Sequence, residues 1–296
     1  MIHQQEVNPR TGLRASSNEV VSPRNILVAT DFSGASNRAL EHALCLARTY
    51  HSQIFLAHVV PLDLTLAPEV AEATQERMRR AARAGMDEIR ASKCFFAVPH
   101  QEIVREGPLW PNIAALIEKY NIDLMVVGTH GVGPVKKLLI GSSAEHIFRQ
   151  ARIPVLTVGP DVHREPLYEI ELKNILFATA FGPGAERQAA YAFSLAQQHR
   201  SRITLLHVER HAGEEQAIVH QLQELVPAPI DLHCLPLFRV EWGNPVKEIL
   251  RVAQETHSDL IVLGAKTRSG LAGHVPHSKA YHVVCGASCP VLTIKS

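Results

Sequence analysis

The chain contains two copies of one sequence pattern. Residues 24–59 align without a gap with residues 173–208, at an offset of 149, and 15 of the 36 paired positions are identical. Further along, 123–128 returns as 259–264 at an offset of 136. Because each copy is much longer than the unit of a solenoid, the repeat predicts two whole domains, the second 13 residues shorter in its middle.

Strand and helix signals alternate along the first copy. Short apolar runs predict strands, and apolar residues that recur every three or four positions predict helices, as at Leu40, Ala43, Leu44 and Ala47. The predicted strands are 26–30, 53–60, 95–104, 123–127 and 154–158, and the later predicted helices are 68–91, 109–120 and 142–150. This alternation predicts an α/β fold of two tandem doubly wound domains, each with a mainly parallel five-stranded sheet. Such sheets bind ligands at the carboxyl ends of their strands.

The repeat and the composition around it predict the domain boundaries. Residues 1–22 are polar with no apolar core, so they are expected to form a disordered arm without a signal peptide. The two domains are expected at 23–160 and 173–296, joined by a polar, proline-punctuated linker at 161–172. No apolar run approaches the length of about 18 residues that a membrane span needs. A membrane partner is therefore not expected, and a cytoplasmic location is the default.

Composition argues against several classes of partner and site. The net charge is +1 with interspersed signs, which offers no broad basic surface, so nucleic acid is not an expected partner. The five cysteines are scattered without a CxxC pair, and the 17 histidines form no HExxH motif. Neither a disulfide framework nor a metal site is therefore predicted.

A glycine-rich loop follows the fourth predicted strand. Gly128 ends the apolar run 123–127, Gly131 and Gly141 follow, and Ser142 opens an amphipathic segment. Glycines let the backbone approach a ligand closely, and N–H groups at a helix N-terminus can surround phosphate oxygens. The loop is interpreted as a phosphate cradle, with packing of the turn as the alternative explanation for its glycines.

The first strand ends in TDFS at 30–33, the second ends in HV at 58–59, and nine residues separate Gly-x-x-Gly from Gly-Ser. Taken together, these motifs resemble the universal stress protein family in its ATP-binding branch and its tandem two-domain form. The resemblance covers residues 24–160 and 173–295. It implies an adenine nucleotide alpha hydrolase-like fold with ATP as the ligand, and it leaves open whether magnesium accompanies the ATP.

The resemblance also implies which residues bind the nucleotide. Adenine is expected near the backbone of Val59, and the residues bordering adenine and ribose are expected to be Ala29, Thr30, Asp31 and Val127. The phosphates are expected on Gly128, Gly131, Gly141, Ser142 and Ser143. Asp31 sits at a strand-to-helix junction and could instead cap the following helix, a role equally open to Ser33 and Ser36.

The second copy departs from this motif. Its counterparts of Asp31, Gly131 and Gly141 are Ala180, Thr267 and His277. The added side chains at 267 and 277 are expected to crowd the path of the phosphates. The second domain is therefore predicted not to bind ATP in the family's manner and to serve as a pseudo-domain.

The last strand of each domain is the expected edge for pairing the two domains. The resemblance implies pairing through last strands, which a tandem chain can make internally through 155–158 and 291–294. Such pairing would satisfy exposed backbone donors and acceptors. Assembly of two chains into a homodimer is left open.

Three functional classes follow, and a binding protein is the expected one. No Walker A sequence with a Gly-Lys-Ser/Thr ending occurs, and no carboxylate constellation accompanies Asp31. The chain is therefore expected to act as a stress-response or regulatory nucleotide-binding protein and not as an enzyme. A slow ATPase or autophosphorylating enzyme, with Ser142 or Ser143 as the acceptor, and a nucleotide-free scaffold are the alternatives.

Overall fold

Both halves of the chain contribute alternating strands and helices. The computed structural model describes residues 21–62, 68–129, 147, 150–159, 161–162, 170–211, 213–265 and 278–295. The elements of the first half are β1 (Asn25–Ala29), α1 (Gly34–Tyr50), β2 (Gln53–Val60), α2 (Pro68–Ala91), β3 (His100–Glu106), α3 (Leu109–Lys119), β4 (Leu124–Gly128) and β5 (Val155–Val158). Those of the second half are β6 (Asn174–Thr179), α4 (Ala185–His199), β7 (Arg202–Glu209), α5 (Glu215–Glu224), β8 (Leu237–Trp242), α6 (Pro245–Glu255), β9 (Leu260–Ala265), α7 (Lys279–Gly286) and β10 (Val291–Lys295).

All ten strands belong to one sheet, in the order β3-β2-β1-β4-β5-β10-β9-β6-β7-β8. Within each half the neighbouring strands are parallel, with β1 or β6 between two partners, and this arrangement confirms the doubly wound α/β fold. The two halves meet where β5 and β10 run antiparallel, with Leu156 opposite Leu292. Thr293 Oγ1 donates a hydrogen bond across this pair to the Val155 carbonyl at 3.2 Å.

Local sequence explains where the helices begin. Ser33 caps α1, because its Oγ accepts a hydrogen bond from the Ser36 N–H at 3.2 Å. Asn244 caps α6 in the same way, accepting from two backbone N–H groups, and Pro245 occupies the first helical position. These contacts satisfy donors that a helix N-terminus leaves unpaired, and proline is favoured at that first position. None of the described helices combines the length and apolarity that spanning a membrane requires.

The hydrophobic core is shared between the halves on one face of the sheet. A single cluster contains Leu44 of α1, Phe193 of α4 and Leu292 of β10, all buried. On the opposite face each half has a cluster of its own. Since burial of one large apolar side chain contributes about 1.5–3 kcal/mol, the shared cluster stabilises the two halves together.

Most predicted element bounds agree with the structure, but the predicted start of β3 is wrong. The strand begins at His100, whereas the apolar pattern predicted it from residue 95. Residues 92–97 form hydrogen-bonded turns, and Lys93 and Ala97 have positive φ angles of 55° and 60°. Phe95 and Val98 are buried from within this turn, so they imitate a strand pattern without forming one.

Several sequence predictions fall partly outside the described residues. Of the predicted helix 142–150, only Ile147 and Gln150 are described, and both are helical. Residues 1–20 and 163–169 are not described, so the arm and linker boundaries stay predictions. Val21 accepts a hydrogen bond from Gln198 at 2.9 Å and donates one to Ser194 Oγ at 2.8 Å, which ties the end of the predicted arm to α4.

Equivalent positions of the repeat meet where α1 and α4 end. Tyr50 and His199 are separated by the repeat offset of 149, and the Tyr50 hydroxyl lies 2.6 Å from His199 Nε2. Burial raises the pKa of Tyr50, so its phenol stays protonated and donates to Nε2. Burial also lowers the pKa of His199, so the imidazole is neutral and carries its proton on Nδ1.

This contact predicts a pH dependence of stability. The folded state holds His199 neutral, whereas the unfolded chain takes up a proton below pH about 6.5. The free energy of unfolding should therefore fall as the pH drops below that value, and His199→Gln should make the fall shallower. Burial also lowers the pKa of His42, so part of the pH dependence will persist in the variant.

Urea unfolding of both proteins across a pH series measures this difference. His220→Gln is the matched control, because His220 is exposed on α5. Parallel pH profiles for His199→Gln and the unmodified protein would show that His199 is not held neutral.

Candidate functional site

Three parallel strands end side by side at the predicted nucleotide edge. Ala29 at the end of β1 pairs with Ala57 of β2 on one side and with Val127 of β4 on the other. The Thr30 N–H extends the β2 pairing by donating to the Ala57 carbonyl at 2.9 Å. Val59 lies two residues beyond Ala57 on β2. The structure thus brings the predicted adenine and ribose residues to one edge of the sheet.

Thr30 organises the turn that joins β1 to α1. Its Oγ1 accepts a hydrogen bond from the Phe32 N–H at 3.0 Å and lies 3.1 Å from Ser36 Oγ. Phe32 has a positive φ of 63°, a conformation that costs free energy for a residue with a side chain. The hydrogen bonds of the buried Thr30 side chain hold the turn in this conformation.

Asp31 occupies the exposed position of that turn. Its Oδ1 accepts a hydrogen bond from the Ser33 N–H at 3.0 Å, which restrains the carboxylate relative to the backbone. Ser33, and not Asp31, provides the side-chain cap of α1. Of the two roles considered for Asp31, helix capping is therefore not the one observed.

Three residues for which the sequence patterns predict no role support this turn. His58 Nδ1 lies 2.8 Å from the Thr30 carbonyl, and since a carbonyl only accepts, Nδ1 carries the proton. The rings of Phe32 and His58 are 4.5 Å apart. Gly85 of α2 packs against Phe32 so closely that a Cβ there would lie 2.6 Å from the ring. The sequence contains a signal for Phe32 and His58, since the Thr-x-Phe and His-Val pairs occur in both copies of the repeat.

Gly128 has a packing role that needs no ligand. A Cβ at this position would lie 2.2 Å from the Ala35 carbonyl oxygen and 2.8 Å from the Ser36 backbone nitrogen, so only glycine lets β4 approach α1 this closely. Thr129 follows, buried, and its N–H donates to the Val158 carbonyl at 3.0 Å. Packing of the turn, the alternative explanation for the loop glycines, therefore accounts for the glycine at 128.

The rest of the predicted phosphate cradle is outside the described residues. This applies to Gly131, Gly141, Ser142 and Ser143. The described part of the candidate site is therefore the predicted adenine and ribose edge, made by the ends of β1, β2 and β4. The described residues contain no group of three or more His, Cys, Asp or Glu that could hold a metal ion.

The second half keeps the same turn without its carboxylate. Thr179 Oγ1 accepts from the Phe181 N–H at 3.1 Å, and Phe181 has a φ of 53°. His207 Nδ1 lies 2.9 Å from the Thr179 carbonyl, and its ring stacks on Phe181 at 4.6 Å. Ala180 takes the place of Asp31. The backbone geometry of the turn is therefore common to both halves, and the exposed acid is specific to the first.

A buried amide fills the space beside the carboxyl ends of β9 and β10. Gln188 of α4 donates from Nε2 to the Ile294 carbonyl at 3.3 Å. A Cβ on Gly264 would lie 2.4 Å from Gln188 Oε1. The first half has Ala39 at the position equivalent to Gln188. The larger side chain thus takes up room at the edge that corresponds to the candidate nucleotide site.

A buried cation also distinguishes the end of β10. Lys295 is 6% exposed and pairs with Ala265 in the sheet register. Burial, helped by repulsion from Arg152, lowers the pKa of Lys295 to about 8. The second half therefore carries a cation near this edge, whereas the first half carries the Asp31 carboxylate on its own turn.

The fold is that of a doubly wound α/β protein, and the candidate site lies at the carboxyl ends of its parallel strands. A sequence model described as the universal stress protein family matches residues 23–159 and 237–295. The chain belongs to the universal stress protein family, and both of its halves contain a matching segment.

Individual relatives agree with this assignment. A universal stress protein of Mycolicibacterium smegmatis is 25% identical over 296 aligned residues, which cover 91% of this chain and 96% of the relative. One from Methanocaldococcus jannaschii is 27% identical over 138 residues, covering 46% of this chain and 81% of the relative. The crystal structure of a universal stress protein from Archaeoglobus fulgidus superposes with a TM-score of 0.72 at 21% identity, covering 92% of this chain and 98% of that one. The tandem arrangement is thus shared along nearly the full length of that structure.

Gly128→Ala tests the close approach of β4 to α1. Because the added methyl group meets backbone atoms that cannot rotate away, we expect the free energy of unfolding to fall by about 3 kcal/mol or more. Urea unfolding measures the loss. Gly182→Ala is the matched control, since a Cβ there meets nothing within 4 Å and its effect should stay within about 0.5 kcal/mol. Equal effects of the two substitutions would show that Gly128 is not required by packing.

Proposed function

We propose that the first half binds ATP at the carboxyl ends of β1, β2 and β4, and that the protein acts as a regulatory nucleotide-binding protein in the stress response. The observation that carries this proposal is the β1–α1 turn of the first half. It presents the Asp31 carboxylate beside the ends of three parallel strands, at the edge where doubly wound sheets bind ligands. The second half has the same turn and no carboxylate.

The chemistry of the edge suits the sugar of a nucleotide. An ionised carboxylate is an acceptor only, and ribose hydroxyl groups are donors that it can bind. The Ser33 N–H holds Asp31, and the Thr30 side chain holds the turn, so little conformational entropy is lost when a ligand binds. Backbone groups near Val59 would meet the adenine ring, and the loop after Gly128 would meet the phosphates, with or without magnesium.

The second half supports the proposal by contrast. Ala180 cannot accept a hydrogen bond from ribose, and the buried Gln188 stands where the first half has Ala39. We therefore propose one ATP site in each chain, with the second half serving as a pseudo-domain that packs on the first through the shared hydrophobic cluster and the β5–β10 pair. Pairing of the two halves in solution, a homodimer and a cytoplasmic location stay predictions.

An enzyme is the second candidate. Slow ATP hydrolysis, or transfer of a phosphoryl group to Ser142 or Ser143, would need a positioned base or nucleophile and usually a metal ion. The exposed Asp31 is the one acid that the described turn of the first half presents at the candidate site. Multiple-turnover release of phosphate, abolished by Asp31→Asn, would favour an enzyme over a binding protein.

Asp31→Ala tests the proposed ribose contact. A hydrogen bond to a charged group contributes about 1.5–3 kcal/mol, and 1.4 kcal/mol is tenfold in affinity, so the dissociation constant for ATP should rise about tenfold or more. Isothermal titration calorimetry with ATP measures it, and urea unfolding checks that the variant folds.

The matched control is Asp231→Ala, which removes an exposed acid from the second half. It should leave the affinity for ATP unchanged. If Asp31→Ala binds ATP as tightly as the unmodified protein, Asp31 is not a ligand. If neither protein binds ATP, the scaffold alternative replaces the proposal.

A further inference from the structure

The second half contains a cavity at the amino ends of its strands, whereas the candidate nucleotide site lies at the carboxyl ends of strands of the first half. Its volume is about 330 Å³, at the lower end of the range for small-molecule pockets. It lies where β6 and β7 begin and α4 ends. The lining side chains include three cations, two imidazoles and a thiol: Lys173, Arg200, Arg202, His199, His233 and Cys234.

Positive charge in this cavity is only partly balanced. Lys173 pairs with Glu171 at 3.0 Å, and the carboxylate of Asp259 accepts from the backbone N–H groups of Lys173 and Asn174 at 2.8 and 2.9 Å. Among the described residues, no carboxylate lies within ion-pair distance of the Arg200 or Arg202 side chain. Two guanidinium groups thus face the cavity with no acid paired to them in the described part of the chain.

The imidazoles add further hydrogen-bond donors. Arg200 donates to His233 Nδ1 at 3.2 Å, so Nδ1 is the acceptor and Nε2 carries the proton. His199 accepts from the Tyr50 hydroxyl at Nε2 and carries its proton on Nδ1. The polar lining therefore supplies mainly donors, as a site for an anion requires.

The first half shows that this charge is not a general property of the fold. At the positions of Lys173, Arg200 and Arg202 it has Arg24, His51 and Gln53. Counted back from β3 and β8, whose registers give an offset of 136, Phe95 and Val98 correspond to Asp231 and Cys234. Both apolar residues are buried, whereas Asp231 is exposed and Cys234 is half-buried. The first half thus closes this corner with apolar side chains, and the second half leaves it open and cationic.

We propose that this cavity binds a small multivalent oxyanion of the phosphate type. Guanidinium groups match phosphoryl oxygens in a bidentate geometry and are weakly hydrated, so arginine is the residue best suited to such an ion. The half that lacks the nucleotide carboxylate would then have an anion site of its own, made by residues other than those of the ATP site proposed for the first half.

Alkylation of Cys234 tests this proposal at the cavity itself. The full-length protein is treated with iodoacetamide, a neutral reagent, with and without sodium pyrophosphate, at matched ionic strength set with sodium chloride. Mass spectrometry of the peptides gives the rate constant at each cysteine. Pyrophosphate at about ten times its dissociation constant should slow the reaction of Cys234 about tenfold, because only the unoccupied site reacts. Cys94, half-buried in the first half, should react at an unchanged rate.

The double variant Arg200→Gln/Arg202→Gln should lose this protection. Both arginines are exposed, and an unchanged rate at Cys94 shows that the variant is folded. Arg187→Gln/Lys247→Gln removes two exposed cations elsewhere in the second half and should keep the protection. The proposal is overturned if pyrophosphate leaves the Cys234 rate unchanged, if it slows Cys94 equally, or if the Arg200/Arg202 variant remains protected.

Discussion

The hydrogen bond between His58 Nδ1 and the Thr30 carbonyl is the contact on which the candidate site depends. It joins the ends of β1 and β2 and holds the turn in which Phe32 adopts a positive φ angle. The Phe32 ring then packs on His58 and under Gly85, which fixes α2 against the same turn. Asp31 is presented from this rigid frame, so its position follows from packing beneath it and not from a ligand. The same bond recurs in the second half between His207 and Thr179.

The duplication separates what the fold requires from what the site requires. Both halves keep the threonine, the phenylalanine and the histidine of the turn, because these hold the backbone where a parallel strand passes into a helix. The halves differ at the position where a ligand would touch the turn, with Asp31 in the first half and Ala180 in the second. They also differ beneath it, where the buried Gln188 replaces the buried Ala39. The second half is different in kind at its other edge, where cationic side chains line a cavity whose counterpart is closed by Phe95. One scaffold thus carries two edges with different chemistry.

Sequence patterns predicted the alternating elements, the two halves and the edge of the site, because apolar runs and the repeat report directly on buried strands. They failed where tertiary packing decides. Phe95 is buried from a turn, so its apolar character did not mark a strand. For the glycine at 128 the sequence left a ligand contact and packing as alternatives, and the distance to the Ala35 carbonyl, which shows the packing role, depends on tertiary structure. The roles of His58 and Gln188 also depend on contacts between elements far apart in sequence, so they could be assigned only from the structure.

The number of ATP molecules bound to each chain tests the central claim most directly, since the claim is that one scaffold, used twice, binds nucleotide once. Native mass spectrometry of the full-length protein with excess ATP and magnesium resolves the count as discrete increases in mass. The account predicts one ATP per chain at saturation. At an ATP concentration near the dissociation constant of the unmodified protein, about half of its chains should carry ATP, against about a tenth or fewer of the Asp31→Ala chains. Two ATP molecules per chain would contradict the assignment of the second half as a pseudo-domain. If no ATP binds, the turns of the two halves support the fold alone.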